Sequence, residues 1–387
     1  MRPTIFVLLL VSASLVNAWH QTGHYLVVET ARNSLPPEQR DLFDTIISTF
    51  QPRAPLSVAE AAAWADLSKA LAVKGQFPAE WHYYDLPLNM SREEVLENIH
   101  EDADQRMPLG IFGALKTTVD YLRTPIPPDC QTRFAKSRIF MLFLHLMGDV
   151  HMPLHTCAGF VGNTNQTDDG GLRFKLGGGY RNLHLLWDGL LGWSKEICAG
   201  SETKPACMKA RLQAFTALPQ GSHPSPALPE PTTDQMVDTL AGWFLETHNL
   251  CEALVYQGIE EGKAPSAAYL AAGQTAALSQ LGLAASRLSA VLQQWLLCPK
   301  CPLALEFANH TTDSQIECLV QRSTGLELPA FARLVGLEEP PSWWSRVDWV
   351  SPVLVAAVLG TAGFYWWRRH SRKPRSYRMP AALRKGR

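Results

Sequence analysis

The sequence of 387 residues has few of the patterns that mark β-structure, disorder or repeats. β-Branched residues are sparse, stretches that alternate polar with apolar residues are few, and no internal repeat is visible. Charged residues make up only 18% of the chain, whereas hydrophobic residues make up 46%, which indicates a folded chain with a large core. We therefore expect a mainly helical protein.

Helices are predicted where Ala and Leu dominate, at 58–72 and 263–297. Gly, Asp and Asn residues interrupt this pattern at 159–179, which predicts a loop, and five prolines at 217–233 predict an irregular, exposed segment. Together these features predict a single all-α domain that spans residues 19–297.

The two ends of the chain carry hydrophobic segments of different kinds. Residues 1–18 have an early Arg, a short apolar run and small residues before a cleavage site, which predicts a secretory signal peptide and a mature chain that begins at Trp19. Residues 350–367 form an uncharged stretch of about the minimum spanning length, and residues 368–387 hold nine cations and no acidic residue. The pattern predicts a type I membrane protein with a cytosolic tail and an extracellular or luminal catalytic domain.

Between the domain and the predicted membrane helix lies a juxtamembrane segment, 298–349, which either packs on the domain or acts as a stalk. No second Cys-x-x-Cys motif accompanies Cys298 and Cys301, which excludes a complete zinc knuckle. The eight cysteines of an exported chain indicate disulfides, and Cys198 and Cys207 are close enough for a local bridge, although the sequence leaves the connectivity open. N-glycosylation sequons begin at Asn89, Asn165 and Asn309.

Histidine and aspartate recur at spacings that suit metal binding. His145 and Asp149 are four residues apart, as are His184 and Asp188, so each pair would stack on one helix face. An imidazole nitrogen beside a carboxylate oxygen is a donor pair that zinc accepts. With a freed terminal amine at residue 19, the candidate ligands are Trp19, His24, Asp66, His82, His145, Asp149, His155, His184 and Asp188. Nine groups are too many for one tetrahedral zinc but enough for three, with one bridging carboxylate.

The ordered series W-x4-H, W-A-D, H-Y-Y-D, H-x2-G-D-x-H-x-P-L-H and N-L-H-x2-W-D resembles the secreted zinc-dependent class I nucleases. This family includes fungal and plant single-strand-specific nucleases and the membrane-bound trypanosomatid 3′-nucleotidase/nucleases, to which the predicted anchor and basic tail are most similar. The resemblance implies the all-α fold with a trinuclear zinc site that nucleases of this kind share with bacterial phospholipase C.

The resemblance also implies how the ligands are divided among the ions. Asp66, His82, His145 and Asp149 would bind one zinc, and His155, His184 and Asp188 a second. The amine and carbonyl of Trp19, with His24 and a bridging Asp149, would bind the third. His151, inside the same motif, would orient its neighbours.

The substrate-binding positions differ from the family pattern in two places. Lys69 stands where the family often has a phosphate-binding Arg, and Leu172 follows Gly170 and Gly171 where the family typically has Asn. By resemblance, Asp85 would lie beside the activated water and Tyr83 would stack on a base. We therefore expect Asp85 and Lys69 to act in catalysis and Tyr83 to bind substrate.

These expectations define an enzyme with three Zn²⁺ cofactors, which would use a zinc-bound hydroxide to hydrolyse RNA, single-stranded DNA and 3′-nucleotides. Apart from the nine tail cations, 26 Lys and Arg face 36 Asp and Glu, so a long basic groove for duplex DNA is not expected. No obligate protein partner is predicted. Two alternatives stay open: a zinc-dependent phospholipase C, and a non-catalytic, zinc-stabilised surface binding protein.

Overall fold

The computed structural model describes residues 19–308 except 51–55, 67–76, 106, 126–129, 163, 194–204 and 222. The predicted signal peptide, membrane helix and basic tail, as well as residues 309–349, lie outside the described residues. Those that are described all belong to one compact unit, Met1–Phe331.

Helices dominate the described residues, and only three isolated β-bridges occur among them. The helices, numbered in chain order, are α1 Gln21–Asn33, α2 Pro37–Phe50, α3 Val58–Ala62, α4 Arg92–Asp104, α5 Ile111–Arg123, α6 Cys130–Asp149, α7 Leu183–Asp188, α8 Pro205–Thr216, α9 Thr233–Leu250, α10 Ala267–Val291 and α11 Pro302–Phe307. Short 3₁₀ turns cover Ala79–His82 and Pro153–His155, and π-helical turns at Cys251–Val255 and Leu292–Leu296 extend α9 and α10. The mainly helical expectation is confirmed.

Side-chain caps explain where several helices begin. Ser57 and Ser91 each accept a hydrogen bond from the main-chain N–H three residues on, and the Glu at that third position reaches back to the Ser N–H. Ser266 caps α10 in the simpler way, through the Tyr269 N–H. Such caps satisfy main-chain donors that the first helical turn leaves unpaired. They place the start of α10 at Ala267, four residues after the start of the predicted helical run.

The core is arranged around α6. Its residues from Ile139 to Asp149 are all buried, so this part of the helix is surrounded by protein on every side. Helices α2 and α5 pack against α6, while α1 packs against both α3 and α10. Because a helix buried all round needs no polar face, polar residues within it require another explanation.

Helix α3 is shorter than the predicted run at 58–72. It ends at Ala62, Ala63 leaves helical geometry (φ −96°, ψ 2°), and a helical turn resumes at 64–66. Residues 67–72 lie outside the described part of the chain. The interruption matters for the site because the Ala62 carbonyl accepts a hydrogen bond from an imidazole.

As far as they are described, the two predicted irregular segments contain no α-helix apart from Thr233, at which α9 begins. Residues 159–179, as far as they are described, form a loop whose inner part is buried. The proline-rich segment 217–233 is not exposed throughout: the Gln220 carbonyl lies so close to Gly282 of α10 that a Cβ there would be 1.9 Å from its oxygen. The absence of a side chain at Gly282 therefore lets this segment dock on α10.

From residue 298 to residue 308, the chain continues to pack on the domain. Helix α11 buries Leu303 and Phe307, and its Glu306 forms an ion pair with Lys136 of α6 (2.7 Å). Residues 302–307 of the juxtamembrane segment thus pack on the domain and do not act as a stalk. None of the described helices is long and apolar enough to cross a membrane.

Disulfides are present, as the cysteine content predicts. Cys157 is bonded to Cys251, and Cys298 to Cys301. Cys207 also lies in a disulfide, while its predicted partner Cys198 is outside the described residues. The Cys298–Cys301 motif is therefore a disulfide and not a thiolate metal site.

Candidate metal centre

Helix α6 brings His145 and Asp149 into the protein interior one turn apart. Both residues are fully buried, and His145 Nε2 lies 3.2 Å from Asp149 Oδ2. The glycine between them leaves space for a neighbour: a Cβ on Gly148 would lie 2.7 Å from His24 Nδ1. Without that side chain, His24 of α1 stacks on His145 with ring centroids 3.7 Å apart.

Helix α7 supplies the second pair. Asn182 caps the helix by accepting a hydrogen bond from the Leu185 N–H, which fixes its start one residue before His184. His184 Nε2 then lies 3.4 Å from Asp188 Oδ2, with both side chains buried. The two spacings recognised in the sequence therefore form buried His–Asp pairs.

The remaining side-chain candidates reach the same region from other elements. Asp66 follows α3, while His82 and His155 end the two 3₁₀ turns. All three are buried. Pro153 begins the turn that ends at His155. It has no N–H to leave unpaired, and its φ is fixed near the value that a helical turn needs.

Asp149 lies at the centre of this group, and its two oxygens face different partners. Oδ2 lies 3.0 Å from His82 Nδ1 and 3.2 Å from His145 Nε2. Oδ1 lies 3.3 Å from His24 Nε2 and 3.7 Å from His155 Nδ1. A carboxylate whose oxygens diverge in this way has the geometry of a ligand shared between two cations.

Three clusters of potential ligand atoms result, each with its atoms within 4.8 Å of one another. Cluster 1 consists of Asp66, His82 and His145. Cluster 2 consists of His24, His145 and Asp149. Cluster 3 consists of His155, His184 and Asp188. His145 belongs to two clusters here because its ring stacks on His24. All eight side-chain candidates from the sequence are thus brought together.

Trp19 is the ninth candidate, through its main-chain amine and carbonyl. Its indole Nε1–H donates to the Gly148 carbonyl (2.9 Å), and the side chain is completely buried. The next residue continues the attachment, because the His20 N–H donates to the Asp188 carbonyl (3.0 Å). These contacts keep Trp19 beside the helix that carries Asp149.

Main-chain carbonyls orient two of the histidines. His145 Nδ1 lies 2.9 Å from the Ala62 carbonyl oxygen, and His184 Nδ1 lies 2.7 Å from that of Gly170. A carbonyl can only accept, so each Nδ1 must carry its proton and each Nε2 lone pair faces its cluster. This is how metal-binding histidines are usually held.

Buried ligand atoms without hydrogen bonds provide a test of whether metal ions fit. Among the described residues, nothing forms a hydrogen bond with His155 Nδ1, His184 Nε2, Asp149 Oδ1 or either carboxylate oxygen of Asp188. Buried polar atoms normally have partners, and leaving them without one is costly. Their convergence on one region agrees with three cation sites.

The pKa values of several cluster residues also agree with bound cations. Burial lowers the pKa of His155 to about 3 and that of His184 to about 4, which favours the neutral imidazole that binds metals. Burial also raises the pKa of Asp188 well above its usual value, and the nearby charges of Asp66 and Asp149 add to the shift. No described Lys or Arg forms an ion pair with Asp149 or Asp188. Bound cations would favour the ionised form of Asp188, which burial disfavours.

Of the predicted substrate residues, Asp85 lies next to cluster 3. Asp85 Oδ1 would be 3.0 Å from a Cβ on Gly170, the residue whose carbonyl orients His184. Burial raises the pKa of Asp85 well above its usual value, and Asp169 and Asp168 add to the effect. Tyr83 is half-buried, and burial followed by the charge of Asp85 raises its pKa to about 12. Lys69 lies outside the described residues.

Some residues around the clusters differ from the sequence expectation or were not anticipated. His151 contacts the Met147 carbonyl (2.8 Å) and Arg287 of α10 (3.0 Å), so it links α6 to α10 and does not orient the ligand histidines. The Ala62 and Gly170 carbonyls, which orient two histidines, were not identified from the sequence, because every residue type has a main-chain carbonyl. The small residue at 148 was visible in the motif, but only the packing of His24 explains it.

Comparison with known proteins gives one family and several relatives. The model of the family described as S1/P1 Nuclease matches residues 19–297. Arabidopsis thaliana Endonuclease 1 is 25% identical over 185 residues, which cover 47% of this chain and 56% of the relative. Endonuclease 5 of the same plant is 28% identical over 181 residues, covering 45% and 56%, respectively. The matched region thus spans little more than half the length of these relatives.

Proposed function

Because the chain belongs to the S1/P1 nuclease family, we propose that it is a zinc-dependent phosphoesterase that cleaves single-stranded RNA and DNA and hydrolyses 3′-nucleotides. Members of this family use three zinc ions, and the three His/Asp clusters offer one site for each. The proposal depends above all on Asp149, whose oxygens face separate sets of histidines. The similarity of the chain to plant proteins named endonucleases supports the nuclease activity.

The proposed ligand sets follow the clusters, with Asp149 shared between two of them. Asp66, His82, His145 and Asp149 would bind the first zinc, and His24, Asp149 and the amine and carbonyl of Trp19 would bind the second. His155, His184 and Asp188 would bind the third. Zinc in these positions supplies Lewis-acid chemistry: it polarises phosphoryl oxygens, lowers the pKa of a water molecule and stabilises a departing oxyanion.

The protein's own groups would orient the substrate and the attacking water. Asp85 lies against the 168–171 loop beside cluster 3, where its carboxylate can accept a hydrogen bond from that water. Tyr83 is only partly buried, which suits stacking on a single base. Lys69 would add a point charge for the phosphate, where an Arg would add a two-pronged contact.

The charge of the predicted exported part argues for small or single-stranded substrates. With 36 acidic residues against 25 Lys and Arg, it lacks the positive charge that a duplex groove requires. A local positive potential at the zinc ions would suffice to attract one phosphate. We therefore propose strong 3′-nucleotidase activity, measurable cleavage of single strands and little cleavage of duplexes.

The direct test is an assay with two mononucleotides, two nucleic acids and one lipid. The purified zinc-loaded protein should release phosphate from 3′-AMP and cleave single-stranded RNA, with 5′-AMP and duplex DNA as matched controls that react slowly. A chelator should abolish the activity, and added zinc should restore it. Hydrolysis of phosphatidylcholine without nucleotide hydrolysis would indicate a phospholipase C. If no substrate is hydrolysed although zinc is bound, the protein is a non-catalytic binding protein.

We also propose that residues 350–367 anchor the catalytic domain to a membrane, with residues 368–387 in the cytosol. The uncharged stretch and the nine cations that follow it support this topology. Extraction of expressing cells with alkaline carbonate tests it. The full chain should stay with the membranes, whereas a chain truncated after residue 349 should be released, and release of both would overturn the proposal.

A further inference from the structure

The 168–171 loop contains two glycines that a larger residue could not replace. Gly170 and Gly171 have φ values of +57° and +81°, a region that favours glycine. A Cβ on Gly170 would lie 2.5 Å from the Leu154 carbonyl oxygen, next to the ligand His155. The loop therefore fits tightly between the main chain at Leu154, directly before the ligand His155, and the imidazole of the ligand His184.

Asp168 fixes the conformation of this loop. Its buried carboxylate oxygen Oδ1 accepts hydrogen bonds from the Gly171 N–H (2.9 Å) and the Gly159 N–H (3.0 Å). Gly159 begins the 159–179 segment and Gly171 ends the 168–171 loop, so one side chain ties the loop to the start of the segment. The position of the Gly170 carbonyl, and with it the orientation of His184, depends on this side chain.

Tyr256 completes the arrangement from a distant part of the chain. Its hydroxyl donates to Asp168, with oxygens 2.9 Å and 3.0 Å away, and also accepts from the Gly159 N–H (3.0 Å). Tyr256 directly follows the π-helical turn Cys251–Val255. That turn is bonded through the Cys157–Cys251 disulfide to the chain two residues after His155, which holds Tyr256 near this ligand as well.

We propose that Tyr256 is a positioning residue for the zinc of cluster 3, acting through Asp168 and the Gly170 carbonyl on His184. The inference deepens the proposed function, because it rests on zinc occupying cluster 3. Tyr256 touches neither the ion nor the substrate. Its hydroxyl orients Asp168, Asp168 orients the loop, and the loop carbonyl fixes both the tautomer and the direction of His184.

The fold offers a reason why such a device is needed here. His145 lies on the 20-residue helix α6, and the Ala62 carbonyl that orients it ends a capped helix. His184, by contrast, lies on a six-residue helix, and the carbonyl that orients it belongs to an irregular loop. A short helix and a loop have little rigidity of their own, so hydrogen bonds from elsewhere must supply it.

The test is a zinc-retention titration of the full, zinc-loaded protein with the variants Tyr256→Phe and Asp168→Asn. Zinc per chain is measured by elemental analysis after dialysis against increasing concentrations of a chelator. The matched control is Thr118→Val, which removes another buried hydroxyl, one that bonds only to the Leu115 carbonyl within α5 (2.7 Å). Thermal unfolding is recorded for every variant, so that loss of zinc can be separated from general destabilisation.

Tyr256→Phe should lose one zinc per chain at a chelator concentration about 10- to 100-fold lower than the wild type requires, a typical cost when a group that orients a ligand is removed. The other two ions should leave at the wild-type concentration. Combining Tyr256→Phe with Asp168→Asn should add little to the larger single effect, because both act through one chain of bonds.

Two results would overturn the proposal: retention of all three ions by Tyr256→Phe at wild-type chelator concentrations, or the same selective loss in Thr118→Val. The measurement does not require turnover. A protein that binds three zinc ions and loses one selectively on Tyr256→Phe, yet hydrolyses no nucleotide, would disprove the proposed activity and leave this inference supported.

Discussion

Replacement of the central carboxylate in Asp149→Asn should remove more zinc than replacement of any single histidine. Asp149 Oδ2 lies within 3.2 Å of two imidazole nitrogens, and Oδ1 lies 3.3 Å from a third, so its side chain serves two proposed sites. An amide keeps the shape but loses the negative charge and one acceptor oxygen.

The size of the effect can be estimated from the energetics of zinc binding. An apparent binding free energy of about 10–16 kcal/mol, shared by about four ligands, corresponds to roughly 3 kcal/mol for each ligand. That energy equals about two orders of magnitude in affinity. Asp149→Asn should weaken two sites by this factor, whereas His24→Ala should weaken one.

Elemental analysis under limiting chelator, with activity on 3′-AMP measured in parallel, is the appropriate assay. Asp149→Asn should retain about one zinc per chain under conditions in which His24→Ala retains about two, following the estimate above. Asp102→Asn is the matched control, since it also replaces a buried aspartate, but one that accepts bonds only from the main chain at residues 109, 110 and 113. A three-zinc content in Asp149→Asn would refute the bridging role.

Three further predictions concern other parts of the molecule. A methionine before Trp19 converts the amine into an amide, so activity should be lost while circular dichroism stays unchanged; full activity would remove Trp19 from the site. Tyr83→Ala should raise the KM for 3′-AMP by about 5- to 150-fold through lost stacking, with unaltered zinc content, and an unchanged KM would contradict the stacking role. Asp102→Ala leaves three main-chain N–H groups without their acceptor and should lower the free energy of unfolding, measured by urea titration, by roughly 2–4 kcal/mol. An unchanged free energy of unfolding would show that water replaces the carboxylate, and would contradict this prediction.

Much of the metal centre was predictable because its ligands obey local geometry. The four-residue spacing of His145 and Asp149 can place them on one helix face whatever surrounds the helix. The same spacing applies to His184 and Asp188, and both pairs meet inside the protein. The long Ala- and Leu-rich helix α10 was equally predictable, since its composition and the Ser266 cap agree.

The groups that orient the ligands could not be predicted, because they are distant in sequence and ordinary in type. Tyr256 and Asp168 are hydrogen-bonded although they are 88 residues apart in sequence, and His145 and the Ala62 carbonyl are hydrogen-bonded although they are 83 residues apart. No local periodicity encodes such pairs. The break in α3 at Ala63 was missed for a related reason: alanine favours helix, and the carbonyl at the break contacts a distant imidazole.

The central claim is that one carboxylate joins two of three zinc sites, and anomalous diffraction at the zinc edge from crystals of the zinc-loaded protein tests it most directly. The account predicts three anomalous peaks, one in each cluster, with Asp149 in contact with two of the ions through different oxygens. Fewer than three peaks, or an Asp149 that contacts a single ion, would contradict it.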